Sequence, residues 1–329
     1  MKHTYLITGG AGLIGSNLVM ELNQSGETEI YIVDHLGTSE KWKNLRNLDF
    51  ADYFEKDVFY KTLKETPDSL PKFTHIVHLG ACSSTTEKDA DYLMSNNFKF
   101  SKKLYDWCYN NNCRLIYASS AAVYGDGYLK YDDSKTNEYK PLNMYGYTKK
   151  LFDQYVINCI ENKKILKQCV GLRFFNVYGP NEYHKSSMAS VIFQSFNQIM
   201  KDKKVKLFKS YKEGVGHGEQ KRDFVYIKDV VNVVTFMVKN KKINGIFNIG
   251  TSIARSYNDL AKNVFKSLNI SPNIEYVDMP EELRKKYQYF SRADIKKLRK
   301  VGYKKKFFSL EKGIHDYVTN YLVRDYKNF

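Results

Sequence analysis

The sequence predicts an α/β fold, a Rossmann-like doubly wound parallel sheet with a smaller mixed α/β substrate-binding part. Three observations predict it. Short apolar runs alternate with helical patterns through the first half, as parallel strands joined by crossover helices do. A glycine-rich stretch, Thr8-Gly9-Gly10-Ala11-Gly12-Leu13-Ile14-Gly15, follows the first apolar run and opens a helix, the context that a phosphate loop requires. Tyr145 and Lys149 stand four residues apart in a helical stretch, which places both on one face.

Strands are expected at Tyr5–Thr8, Ile30–Val33, His75–His78, Arg114–Ser119 and Val170–Phe174, with a separated one at Ile246–Ile249. Helices are expected at Gly12–Leu22, Asn96–Asn110 and Tyr145–Ile160. From about Asn176 the pattern turns irregular, and no linker or internal repeat divides the chain. The expected division is residues 1–175 plus 223–251 for the dinucleotide and residues 176–222 plus 252–329 for the substrate.

Composition excludes several classes. Of 329 residues, 43% are hydrophobic, enough for a sizeable core. No apolar run reaches the roughly 18 residues of a membrane span, and no signal-peptide pattern opens the chain. A cytoplasmic location without membrane contact is expected. Five cysteines, irregularly spaced and without a C-x-x-C, argue for reduced thiols rather than a disulfide framework or metal site. The net charge of +16 comes from scattered lysines and accompanies 27 tyrosines. That reads as composition bias and solvated surface rather than a nucleic-acid face.

Within the glycine loop, Gly9 permits the tight turn, Gly12 lets a pyrophosphate approach the backbone, and Gly15 lets the helix pack close to the sheet. The helix start supplies N–H donors and the positive end of a dipole. Asp34 ends the second strand, where an acid accepts the ribose hydroxyls of NAD. His35 and Lys41 follow, and a lysine there can pair with the 2′-phosphate of NADP. The expected cofactor is NADP, with NAD the alternative.

A phenol with an ordinary pKa near 10 is a poor base, and lowering it to about 7 takes roughly 4 kcal/mol. A neighbouring ammonium from Lys149 and an oxidised nicotinamide ring are expected to supply this. Tyr145 then exchanges a proton with a sugar hydroxyl as hydride moves. Ser120, at the end of Tyr117-Ala118-Ser119-Ser120, is placed to hydrogen-bond that hydroxyl.

These residues resemble the extended short-chain dehydrogenase/reductases. Further segments resemble the ADP-glyceromanno-heptose 6-epimerases from about residue 4 to residue 320. They are Ala81-Cys82-Ser83-Ser84-Thr85-Thr86-Glu87, Arg173-Phe174-Phe175-Asn176-Val177-Tyr178-Gly179-Pro180, His184-Lys185-Ser186-Ser187-Met188-Ala189-Ser190, Lys221-Arg222-Asp223-Phe224-Val225-Tyr226 and Lys286-Tyr287-Gln288. The resemblance implies redox epimerisation at carbon 6″ of an ADP-heptose through a transient ketone, supplying heptose for lipopolysaccharide core. It implies a homo-oligomer, a pentamer. It makes Lys185 the acid/base for one epimer and Tyr145 that for the other. It places Leu13 and Ile14 with the loop glycines on the pyrophosphate, and Asp34, His35, Lys41 and Lys56 toward the adenosine. Leu79, Gly80, Ala81, Cys82, Ser83, Asn96, Val177 and Lys185 line the cofactor. Asn176, Ser187, Gln194, Phe208, Lys209, Ser210, Tyr211, Arg222 and Tyr287 contact the nucleotide sugar. Arg222 suits a bidentate grip on a diphosphate; a phosphate clamp is the alternative role for Lys185.

The chain departs from the pattern in places: His35 stands for Asn, Leu79 for an acid and Gln194 for a His, and the loop Lys209–Gln220 is long. A 4,6-dehydratase needs an acidic pair where this chain has Ala121 and Ala122. A hexose 4-epimerase needs only the Tyr, Lys and Ser set, and the His184–Ser190 segment stands against it. A dinucleotide-binding sensor is the non-enzyme alternative.

Overall fold

The computed structural model describes residues 3–127, 130–284 and 287–328; Lys286 of the Lys-Tyr-Gln segment lies outside them. The first seven strands of the chain are β1 (Tyr5–Thr8), β2 (Ile30–Asp34), β3 (Asp52–Glu55), β4 (His75–His78), β5 (Arg114–Ser120), β6 (Cys169–Phe174) and β7 (Asn176–Tyr178). They are followed by β8 (Val205–Phe208), β9 (Lys221–Tyr226), β10 (Gly245–Ile249), β11 (Ala254–Ser256) and β12 (Ile274–Val277). Seven form one parallel sheet in the order β10-β6-β5-β4-β1-β2-β3. Sequence order reverses between β1 and β4, and a crevice opens at the carboxyl ends of strands at such a point. A three-stranded mixed sheet, β11-β9-β7, and a parallel pair, β12-β8, lie beyond it.

The helices that follow the strands cover both faces. Leu13–Gln24 is α1, Lys56–Glu65 is α2, Ala90–Leu93 is α3, Phe100–Asn110 is α4, Met144–Glu161 is α5, Val191–Asp202 is α6 and Ile227–Lys239 is α7. Successive strand residues point to opposite faces. Thus Tyr5 and Ile7 join the core under α1 and α7, and Leu6 joins the one under α2, α4 and α5. Burial on both sides explains why β1 and β2 read as near-continuous apolar runs.

Two features escape the sequence pattern. Strand β3 is a short edge strand with charges at both ends, the composition that edges tolerate. The helix expected at Asn96–Asn110 starts six residues earlier, at Ala90, capped by Asp89, whose carboxylate accepts from Tyr92 N at 2.8 Å. Between α3 and α4, Met94–Lys99 forms a π-helical turn, a distortion frequent at functional sites.

Candidate active site

The crevice at the strand-order reversal is a cavity of about 460 Å³, within the range of small-molecule sites. The loop after β1 forms its floor. Gly9 sits at φ +69°, and a Cβ there would lie 2.7 Å from the Gly80 backbone, so the loops after β1 and β4 touch through it. A Cβ at Gly15 would lie 2.1 Å from the Gly9 carbonyl oxygen. At Gly12 a Cβ would meet only that oxygen, at 3.1 Å, so the remaining face is open to a ligand. Gly12 caps α1 without a side-chain acceptor, which leaves first-turn N–H groups for an anion. This cradle fits a dinucleotide pyrophosphate.

Asp34 closes the adenosine end. One carboxylate oxygen accepts Ala11 N at 2.8 Å, and the other accepts His35 N at 2.7 Å and the ammonium of Lys41. Lys41, expected free for a 2′-phosphate, is thus paired with the acid expected to hold the ribose. The pairing cancels the charge that would repel a phosphate there. His35 turns outward to Glu55 at 3.2 Å, and Lys56 donates to Asn96 Oδ1 at 3.1 Å.

The π-helical turn builds the opposite flank. Asn97, buried in it, accepts Cys82 N at 2.9 Å and donates to Cys82 O at 3.0 Å, fixing the segment after β4. Behind it, His78 bonds Thr8 Oγ1 at 2.6 Å and Ser101 Oγ at 2.8 Å. Burial and the charge of Lys149 depress its pKa to about 3, so it is a neutral link. Thr8 Oγ1 in turn accepts Gly80 N at 3.0 Å.

Tyr145 enters from α5. Asn143 caps this helix by accepting Gly146 N at 2.8 Å. A Cβ at Gly146 would lie 2.6 Å from Ala122 O, so glycine lets the helix start press onto the turn after β5 and brings Tyr145 beside Ser120. Burial raises the phenol's pKa and a hydrogen bond with Ser120 partly offsets this. On the next turn Lys149 Nζ donates to Ala118 O at 2.9 Å, and burial brings its pKa down to about 8 against the attraction of Asp153. Asp153 belongs to a buried network. It accepts Tyr117 OH at 3.0 Å, Ser119 Oγ at 2.9 Å and Arg173 Nε at 2.9 Å. Arg173 also donates to Tyr124 OH at 3.0 Å and Thr136 Oγ1 at 2.7 Å.

Lys185 enters from the segment Tyr183–Met188, which is broken at Ser186 (φ 48°, ψ −125°). Burial lowers its pKa, Glu182 opposes that, and Lys41 adds to it. Every residue expected to bind cofactor or perform catalysis, from Gly9 to Lys185, lines this one cavity. Sequence reasoning missed Tyr92, Phe100, Phe174 and Phe175 in its walls; no motif marks them, because backbone shape brings them there. Asp34 is the sole carboxylate among the described lining residues, and the wall offers no acid pair for eliminating water.

The expected substrate residues lie outside this lining. Asn176 donates to Asp223 O at 3.2 Å, and Gln194 donates to Ser187 O at 2.9 Å. Arg222 is buried, lies 5.3 Å from the Tyr287 ring centroid, and donates to the carbonyls of Lys221 and Gln288; its fork faces backbone rather than open space. Phe208 ends β8, its carbonyl accepting Gln220 Nε2 at 3.3 Å. Beyond it Lys209 pairs with Asp278 at 3.3 Å, Tyr211 donates to Asp278 at 2.6 Å, and Ser210 N donates to His217 at 3.0 Å.

Residues 5–250 match the model of the NAD dependent epimerase/dehydratase family. A Fusobacterium nucleatum protein named ADP-L-glycero-D-manno-heptose-6-epimerase is 47% identical over 97% of this chain and 98% of its own. A Brachyspira hyodysenteriae protein of the same name is 43% identical over 95% of this chain and 96% of its own. The crystal structure of the Helicobacter pylori enzyme of that name superimposes with a TM-score of 0.81 at 30% identity, covering 97% of this chain and 96% of that one.

Proposed function

The chain belongs to the NAD dependent epimerase/dehydratase family, and from that premise we propose that it interconverts ADP-D-glycero-D-manno-heptose and ADP-L-glycero-D-manno-heptose. The observation that carries this reading is one cleft holding a dinucleotide cradle, a Tyr145–Ser120 pair and, from a separate segment, Lys185. Two proton-exchanging groups on separate segments are what inversion of a secondary alcohol uses.

The cofactor is a nicotinamide dinucleotide held by Gly9, Gly12, Leu13, Ile14, Gly15 and Asp34, with Lys41 available to a 2′-phosphate; NADP is the proposed form. When bound, it supplies a reversible hydride acceptor beside the sugar carbon. The chain's own residues handle the protons. Tyr145 is kept protonated at neutral pH by its burial, the form that delivers a proton to a sugar oxygen. Ser120 shares the hydrogen bond and orients that oxygen. Lys149, one helical turn on, adds positive charge that favours the phenolate when the proton has left. Lys185 serves the other epimer, its ammonium loosened by burial and by Lys41.

Asn176, Ser187, Gln194, Phe208, Lys209, Ser210, Tyr211, Arg222 and Tyr287 are proposed for the nucleotide sugar, which requires Arg222 to exchange a carbonyl for phosphate oxygen. The two-part division of the chain, a cytoplasmic location and a homo-oligomer, a pentamer, complete the reading. Among the described residues no helix is long and apolar enough to cross a membrane. Incubation with ADP-D-glycero-D-manno-heptose, followed by NMR, tests it. The L-glycero epimer should appear without net consumption of cofactor. Inversion of a UDP-hexose with the heptose untouched would replace this reading by a hexose 4-epimerase.

A further inference from the structure

Lys185 stands on a segment with little regular structure, yet that segment is tied down by three buried asparagines from distant parts of the chain. Asn44 follows the adenosine-end loop, Asn181 precedes the Lys185 segment, and Asn328 lies 284 residues beyond Asn44. All three are buried. Asn328 Nδ2 donates to Asn44 Oδ1 and to Asn181 Oδ1, both at 2.9 Å. Asn44 Nδ2 donates to Ala11 O in the phosphate loop and to Asn181 O, each at 2.9 Å, and lies 3.3 Å from His184 Nδ1. Asn181, at φ +77°, donates to Ser16 Oγ on α1 at 2.9 Å. Next to Asn328, Lys327 O accepts the Tyr183 hydroxyl at 2.7 Å. Asn328 lines a separate cavity of about 340 Å³, and His184 lines both that cavity and the cleft.

We propose that Asn328, acting through Asn44 and Asn181, is a positioning residue that holds the Lys185 segment in register with the phosphate loop. A buried amide that bonds two others can accept only one arrangement of all three without leaving a group unpaired. Displacement of Asn328 removes the donor that Asn181 Oδ1 and Asn44 Oδ1 share, and the chain between Asn181 and Ser186 loses one of its tethers. Tyr145 stands on α5 and shares none of these bonds. Asn328 therefore supports proton exchange at one face of the sugar and not at the other.

This rests on the reading that Lys185 and Tyr145 serve different epimers, and the test separates the two. Each ADP-heptose epimer is mixed with cofactor-loaded protein, and the reduced-nicotinamide absorbance is followed in time. Asn328→Ala should slow the signal from the epimer that Lys185 serves by about tenfold, the worth of a lost buried hydrogen bond. The signal from the other epimer and the Michaelis constant should be unchanged. Asn328→Asp, which keeps the shape but cannot donate, should behave the same way. Tyr326→Phe, which removes only a bond to Asn197, should match wild type. Equal slowing with both epimers, or none, overturns the positioning role. Lys185→Met is run in parallel: if it slows both epimers equally or neither, the two-base reading fails instead.

Discussion

Tyr145 stands on an 18-residue helix that packs against the turn after β5 and is locked from below by the Asp153–Arg173 pair. Lys185 stands on a six-residue 3-10 segment interrupted by a residue in left-handed backbone and held by amide hydrogen bonds from elsewhere. The first wall is placed by sheet packing and a fully buried charge network, so its geometry survives loss of any one neighbour on the surface. The second is placed by a few hydrogen bonds among buried amides. A support made of few contacts opens locally at lower cost, whereas one built on packed elements holds a side chain to a single geometry.

The largest effect should come from the rigid wall. Tyr145→Phe keeps the ring and removes the hydroxyl, and should lower turnover about 10²–10⁴-fold with an unaltered circular dichroism spectrum. Near-wild-type turnover would remove Tyr145 from the chemistry. Arg173→Met leaves Asp153 buried and unpaired, and should cost about 3–5 kcal/mol in urea unfolding. A loss under 1 kcal/mol, on the order of a surface substitution, would show that the wall does not depend on the pair.

Lys149 gives that wall a pH signature. Its folded pKa, about 8, lies below the ordinary 10.5. Between these values the unfolded chain binds more protons, so the penalty is full below pH 8 and relieved as pH rises toward 10.5. Lys149→Met removes the penalty. Its stability relative to wild type should therefore be highest at neutral pH and fall by up to about 3 kcal/mol by pH 11. A difference that does not change with pH would show that Lys149 carries no such strain.

The looser wall should respond less. Lys41→Ala should weaken NADP by about 1.5–3 kcal/mol, the range of a charged hydrogen bond, and NAD by less. Titration of both cofactors decides it, and equal losses would show that Lys41 serves only to neutralise Asp34. Ser186→Gly removes backbone strain and should stabilise the protein by about 1 kcal/mol in thermal unfolding. Destabilisation would mean that the Ser186 side chain, rather than the backbone, sets the shape of the segment.

Much of this was legible in the chain itself, for stated reasons. Glycine at 9 and 15 reports backbone requirements that no other residue meets, and glycine at 12 leaves its face open, so the cradle could be read from the alphabet. The i, i+4 spacing of Tyr145 and Lys149 is a property of any helix. Strand β3 and the π-helical turn were not legible, because a charged edge strand has no apolar run and a π turn has no composition. Lys41 lines the cleft as expected, but its pairing with Asp34 was not legible, because sequence shows a cation near a phosphate site and not the acid it faces. Arg222 was expected to point at a ligand for the same reason.

The sequence by itself determined the sheet's buried strands, the phosphate cradle and the shared helix face of Tyr145 and Lys149, since these depend on local backbone sterics and on periodicity. Only the tertiary structure decided how those side chains are charged and held. The Asp34–Lys41 pairing, the grip of Ala118 on Lys149, and the meeting of Asn44, Asn181 and Asn328 all join residues far apart in the chain or in different elements. Electrostatics and hydrogen bonding act over a few ångströms of space, and the order of residues along the chain does not record which distant groups will occupy that space.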